Sequence, residues 1–308
     1  MTRHEGATNS ASPSGPNFFV VGAPRSGTTS LHRYLGEHPE VFMSPKKEPN
    51  YFVFYGQQPD ARGPVRWVND EAVFRRADYD ALFRGSGAAR AVGEVSPRYL
   101  SHPECAARIR RDIPDARIIA ILRQPADRAH ASFVGLRRDG WEPCADFASA
   151  VRDQPRRRAE GWDSGCLLDR GLYCEKLARY FAIFDRKMVH IALYDDLQSD
   201  AHALLRELFT FLEVDPDFEP DLKTIHNPSG LIRSRWLGAA WRSSYRLRRE
   251  ARRVLPLTAR DAAYKWIQKS SQKPALDPDL RAEVTAYFHE DILELQRLID
   301  RDLSHWIC

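Results

Sequence analysis

Phe18-Phe19-Val20-Val21-Gly22-Ala23-Pro24-Arg25-Ser26-Gly27-Thr28-Thr29-Ser30-Leu31-His32-Arg33-Tyr34-Leu35 is the stretch on which the fold turns. Four apolar residues stopped by Gly22 read as a short strand buried on both faces, and the segment after Thr29 reads as a helix. Strand, loop and helix in that order make an anion site. The helix N-terminus and successive backbone N–H groups point at one spot, and the glycines permit close approach. A tight turn alone would explain Gly22 and Gly27, but not the Arg, Ser and two Thr gathered with them.

Two further apolar runs, 116–122 and 188–194, read as strands of the same buried kind, each with helical sequence nearby. The segments 173–184, 201–212 and 279–299 carry apolar residues at helical spacing and are expected to be packing helices. Strands separated by helices imply an α/β fold: three layers, α/β/α, with a central parallel sheet and a P-loop-like phosphate-binding loop.

The Gly22-x4-Gly27 spacing matches that of nucleoside triphosphatase loops, but Thr28 stands where those loops carry Lys. That Lys bridges the terminal phosphates. Its absence argues against triphosphate hydrolysis and ordinary kinase chemistry, and Arg25 offers a cation from another place in the loop.

Composition narrows the rest. In a chain of 308 residues, 46 Lys and Arg against 42 Asp and Glu give a formal charge of +4, too little for general binding to nucleic-acid backbone and suited to a local anionic ligand. Five cysteines without a Cys-x-x-Cys pair indicate neither a disulfide framework nor a zinc site and point to reduced cytoplasm. Residues 1–16 read as a disordered polar arm, and 17–308 as one domain. No apolar run is long enough to cross a bilayer. The basic, aromatic segment at about 236–269 has two readings: a solvated helix face, or, over 236–253, a surface for an anionic or lipid-bearing acceptor or for peripheral contact with a membrane.

Residues 19–31, with Leu35-Gly36-Glu37-His38-Pro39 and Lys46-Lys47-Glu48-Pro49-Asn50-Tyr51-Phe52, resemble the sulfotransferases that use 3'-phosphoadenosine 5'-phosphosulfate (PAPS), in particular bacterial members related to glycosaminoglycan (heparan sulfate type) enzymes. The resemblance continues through Gly93-Glu94-Val95-Ser96-Pro97-Arg98-Tyr99-Leu100, Leu122-Arg123-Gln124-Pro125-Ala126-Asp127-Arg128, Arg170-Gly171-Leu172-Tyr173 and Arg301-Asp302-Leu303-Ser304-His305-Trp306.

It implies that Arg25, Ser26, Gly27, Thr28, Thr29 and Ser30 hold the 5'-phosphosulfate. Arg123, at the end of a strand, would bind the 3'-phosphate together with a Ser eight positions later. Here that position is Ala131, and Ser132 follows it. Arg233, with Arg235 second, would contribute from a late loop. Glu48 would be the general base and Arg25 the cation at the leaving phosphate, with no metal required. A branch with a His base would direct attention to His102 or His130. The acceptor would be a hydroxyl or amine of a carbohydrate, lipid or natural product. A kinase with a degenerate loop and a non-catalytic nucleotide-binding module stand as the alternatives.

Overall fold

The computed structural model describes residues 15–57, 72–162, 166–222, 230–232, 271–272 and 274–307. Five parallel strands form its centre: β1 (Phe18–Gly22), β2 (Val41–Met43), β3 (Ala91–Val95), β4 (Arg117–Leu122) and β5 (Val189–Leu193), in the spatial order β2-β3-β1-β4-β5. β1 pairs with β3 (Val20 opposite Val95) and with β4 (Val20 opposite Ile119), so the chain ends of the three strands open onto the same edge of the sheet. In an open parallel sheet that is where ligands bind.

Side chains alternate across each strand. Phe19, Val21, Ile118 and Ala120 join one buried cluster; Phe18, Val20, Ile119 and Ile121 join the other. Both clusters are sealed by helices, which gives the three expected layers. On the second face lie α1 (Thr28–Glu37), through Leu31 and Leu35, and the helix Ala201–Phe211, through Leu204, Leu205 and Leu208. Each such side chain taken from water contributes roughly 1.5–3 kcal/mol. The first face carries the helix Pro125–Asp139, the helix Cys174–Ile183 and the last helices.

Two differences from the sequence reading matter. The run 279–299 is not one helix but two, Pro278–Tyr287 and His289–Ile299, broken at Phe288 (φ −95°, ψ 0°), whose N–H goes to Thr285 O and whose ring is fully buried against Gly171. And β2 and β3 escape the search for apolar runs, because β2 has three residues and β3 carries Glu94 in its interior. No helix among the described residues is long and apolar enough to cross a membrane. Arg233, Arg235, the basic segment 236–269 and residues 1–14 of the expected arm lie outside the described residues.

Candidate active site

The loop after β1 runs from Ala23, whose N–H still bonds to Ile121 O at 2.7 Å, to Gly27 at the cap of α1. Gly27 has φ 91°, and a Cβ there would meet Leu197 Cδ2 at 2.7 Å and the Tyr194 ring at 3.1 Å, so both backbone and space require glycine. The first intrahelical bond is Leu31 N–H to Gly27 O, which leaves the N–H groups of Thr28, Thr29 and Ser30 without intrahelical partners at the N-terminal pole of the helix. No acidic residue stands in that first turn, so its positive end is uncompensated. Ser26 Oγ is fully buried beside the Tyr173 hydroxyl, without a hydrogen bond of ordinary length, which leaves it available to an anionic ligand.

Arg123 follows β4 directly. Its Nη1 donates to Arg25 O at 3.2 Å, and its guanidinium lies over the Tyr194 ring at 4.7 Å. Tyr194 therefore touches both the loop at Gly27 and the Arg123 side chain. The Arg123 carbonyl accepts from the buried Tyr173 hydroxyl at 2.9 Å, a phenol that burial pushes up to about 12. The next residue, Gln124, caps the following helix by accepting from Asp127 N–H at 2.8 Å and donates its amide to Thr285 Oγ1 (2.9 Å) and Trp306 O (3.1 Å). Trp306 in turn donates its indole N–H to Asp195 at 2.8 Å. The sequence motifs at 122–128, 170–173 and 301–306 thus meet around one strand end.

Arg25 has φ 66°, a left-handed conformation that residues with a Cβ seldom adopt. Its guanidinium rests on the backbone of Gly135 in the helix Pro125–Asp139, where a Cβ would fall 2.5 Å from Cζ and 3.0 Å from Nη1. Nothing in the local sequence announces this contact. Ser132, one turn earlier, accepts from Arg128 Nη1 at 3.3 Å. Its hydroxyl is therefore engaged with Arg128, and no bond joins it to Arg123. Arg128 is buried and also donates to Leu167 O; burial, together with Arg170, Arg123 and Arg25 close by, lowers its guanidinium to about 10, still charged at neutral pH.

Glu48 enters from the segment after β2. Its N–H bonds to Val95 O at 2.9 Å, which fastens the segment to the end of β3, and its φ is 58°. The carboxylate, 37% exposed, accepts from Lys47 Nζ at 2.6 Å. Partial burial by itself would raise its pKa, but Lys47, then Arg25 and Arg98, outweigh that and hold the carboxyl below the usual glutamate value. A carboxylate ionised at neutral pH beside three cations, one of them from the anion loop, can accept a proton next to a bound anion. Of the two histidines, His130 is buried with its ring 5.2 Å from Phe147, and His102 Nδ1 accepts from Glu104 N–H at 3.4 Å.

A model of the sulfotransferase family matches residues 16–220. The crystal structure of a sulfotransferase from Alicyclobacillus acidocaldarius superposes with a TM-score of 0.75 at 31% identity, covering 94% of this chain and 98% of that one. Among curated proteins, the membrane-associated sulfotransferase kil1 of Dictyostelium discoideum is 23% identical over 69% of this chain. The human bifunctional heparan sulfate N-deacetylase/N-sulfotransferase 3 is 25% identical over 95% of it. The aligned parts amount to 60% and 31% of those two proteins.

Proposed function

The chain belongs to the sulfotransferase family, and from that premise we propose that it moves a sulfuryl group from PAPS to a hydroxyl or amine of a carbohydrate, lipid or natural-product acceptor. The observation that carries this reading is the convergence of three strand ends: the loop 22–30 after β1, Arg123 after β4, and Glu48 fastened to β3. When bound, the donor supplies an activated sulfuryl group held on a phosphate.

In this reading the N–H groups and hydroxyls of Ser26, Thr28, Thr29 and Ser30 hold the phosphosulfate end, and Gly27 lets it approach the helix pole. Arg25 places its cation where charge grows on the leaving phosphate oxygen. Arg123, braced by Tyr194 and by the Tyr173 bond to its carbonyl, serves the 3'-phosphate. Glu48 removes the acceptor's proton as the new bond to sulfur forms. Ser132 would join the 3'-phosphate site only by exchanging its Arg128 bond, and Arg233 would act from outside the described residues. The heparan sulfate relatives favour an aminated or hydroxylated glycan among the acceptors. A reduced, cytoplasmic setting suits the thiols of Cys105, Cys144, Cys166 and Cys174, which form no disulfide among the described residues.

Calorimetry with adenosine 3',5'-bisphosphate and with ATP, on the wild type and on Arg123→Ala, tests the donor. Preference for the bisphosphate, lost in the variant, is expected. Equal binding of ATP with no response to Arg123→Ala would overturn the assignment.

A further inference from the structure

Glu94 is the least expected side chain in the sheet. It sits inside β3 with no exposed surface and points to the face that buries Val92, Tyr79 and Tyr99. A carboxylate in such a place costs free energy that an apolar residue of similar size would not. It is also fully provided for: Oε1 accepts from Tyr79 Oη at 2.9 Å and Tyr99 Oη at 2.7 Å, and Oε2 accepts from Ser96 Oγ at 2.6 Å.

The direction of these bonds has a consequence at the base. A hydroxyl has one proton, and a hydroxyl that gives it to Glu94 can only accept from its other neighbours. Those neighbours are backbone N–H groups, which can only donate: Asn50 N–H to Ser96 Oγ at 3.1 Å and Phe52 N–H to Tyr99 Oη at 3.3 Å. Asn50 Nδ2 then donates to Glu48 O at 2.9 Å. Glu48 and Asn50 both have left-handed backbone (φ 58° and 55°), which a chain with side chains leaves unless held.

We propose that Glu94 is a positioning residue for the base: through the Ser96 and Tyr99 hydroxyls its carboxylate fixes the turn 48–52 and so presents Glu48 to the acceptor. The role rests on Glu48 being the base of the proposed transfer. Besides Tyr79, Tyr99 and Ser96, the groups whose charge Glu94 feels or influences are Glu48, Cys105 and Tyr180. A carboxamide has the same shape but the wrong protons. Its NH2 would push a donor at a hydroxyl that already accepts from a backbone N–H, and that hydroxyl's own proton would lose its acceptor.

Three measurements on the 308-residue chain test this with Glu94→Gln. Amide hydrogen exchange, read by mass spectrometry, should quicken roughly tenfold in residues 48–54, the factor expected for one lost hydrogen bond, and stay unchanged in 22–31. Calorimetry should give adenosine 3',5'-bisphosphate affinity within about threefold of the wild type. Turnover of 35S-labelled PAPS, on whichever acceptor the wild type sulfates or on water, should fall about 10²-fold. In a Glu48→Gln background the second substitution should cost less than about threefold more, because both act through one group. Ser96→Ala, which removes the acceptor of the Asn50 N–H and little volume, should quicken exchange at Asn50 roughly tenfold and lower transfer about tenfold, and it carries the test if Glu94→Gln does not fold. Unchanged exchange at 48–54, or losses that multiply in the double variant, would overturn the proposal. A wild type that fails to bind the bisphosphate would overturn the donor reading instead, while exchange would still decide whether Glu94 holds the turn.

Discussion

Replacing Gly135 with alanine should leave the fold intact and disable the enzyme. The position lies in the interior of the helix Pro125–Asp139, where alanine is preferred over glycine by roughly 0.5–1 kcal/mol. Set against that gain is a collision with Arg25: the new methyl would fall 2.5 Å from Cζ and 3.0 Å from Nη1, closer still to Nη2. Carbon contacts settle at about 3.5 Å or more, so the guanidinium must withdraw by about 1 Å. It is the far end of a flexible side chain, so it yields before the helix does. The melting temperature should therefore stay within about 4 °C of the wild type. Misplacing a transition-state cation by about 1 Å costs on the order of 10²-fold in rate, and that is the expected loss in sulfuryl transfer, followed with 35S-labelled PAPS. Turnover within threefold of the wild type would refute the reasoning, as would a melting point lowered by ten degrees, since then the helix, not the arginine, would have moved.

Other perturbations give sharp expectations. Glu48→Gln should keep bisphosphate affinity within about threefold and lower transfer by roughly 10²–10⁴-fold, as loss of a general base does; parallel loss of binding, seen by calorimetry, would make Glu48 a structural residue. Gly27→Ala meets both the positive φ and the Tyr194 and Leu197 side chains, so bisphosphate binding and thermal stability should fall together in a titration and a melt. Burial raises Glu94 to about 7 despite its three hydroxyl donors, so the folded protein holds this proton more tightly than the unfolded chain does. Stability from this group is full below the usual glutamate pKa and is lost as pH rises through about 7, by about 3 kcal/mol in denaturant titrations of wild type against Glu94→Gln. Transfer should run the other way, declining as pH falls through about 7. An activity profile limited only in the lower range of Glu48, which its cations hold below the usual value, would contradict the positioning role.

Much of this was readable in one dimension because it is local. The strand, loop and helix over 18–35 follow from contiguous residues, and Arg123 is legible because an apolar run ends on it. The illegible parts join distant positions. Gly135 makes room for a residue 110 places earlier, and Tyr173 holds the carbonyl of a residue 50 places away. β3 is hidden because a carboxylate interrupts its apolar pattern, although that carboxylate is buried like its neighbours. The resemblance implies a Ser eight positions after Arg123, where Ala131 stands; Ser132, one residue and about 100° further around the helix, accepts from Arg128 Nη1.

Tyr194 is shared by two parts of the site. Its ring edge fills the space a Cβ on Gly27 would need, and the Arg123 guanidinium lies over the same ring, 4.7 Å from its centroid. A rigid ring with no internal torsion to relax is thus shared by the loop at Gly27 and by Arg123, the two parts to which the proposed function gives the two phosphate groups. Tyr194→Leu should therefore weaken both contacts at once, and with them the affinity for adenosine 3',5'-bisphosphate.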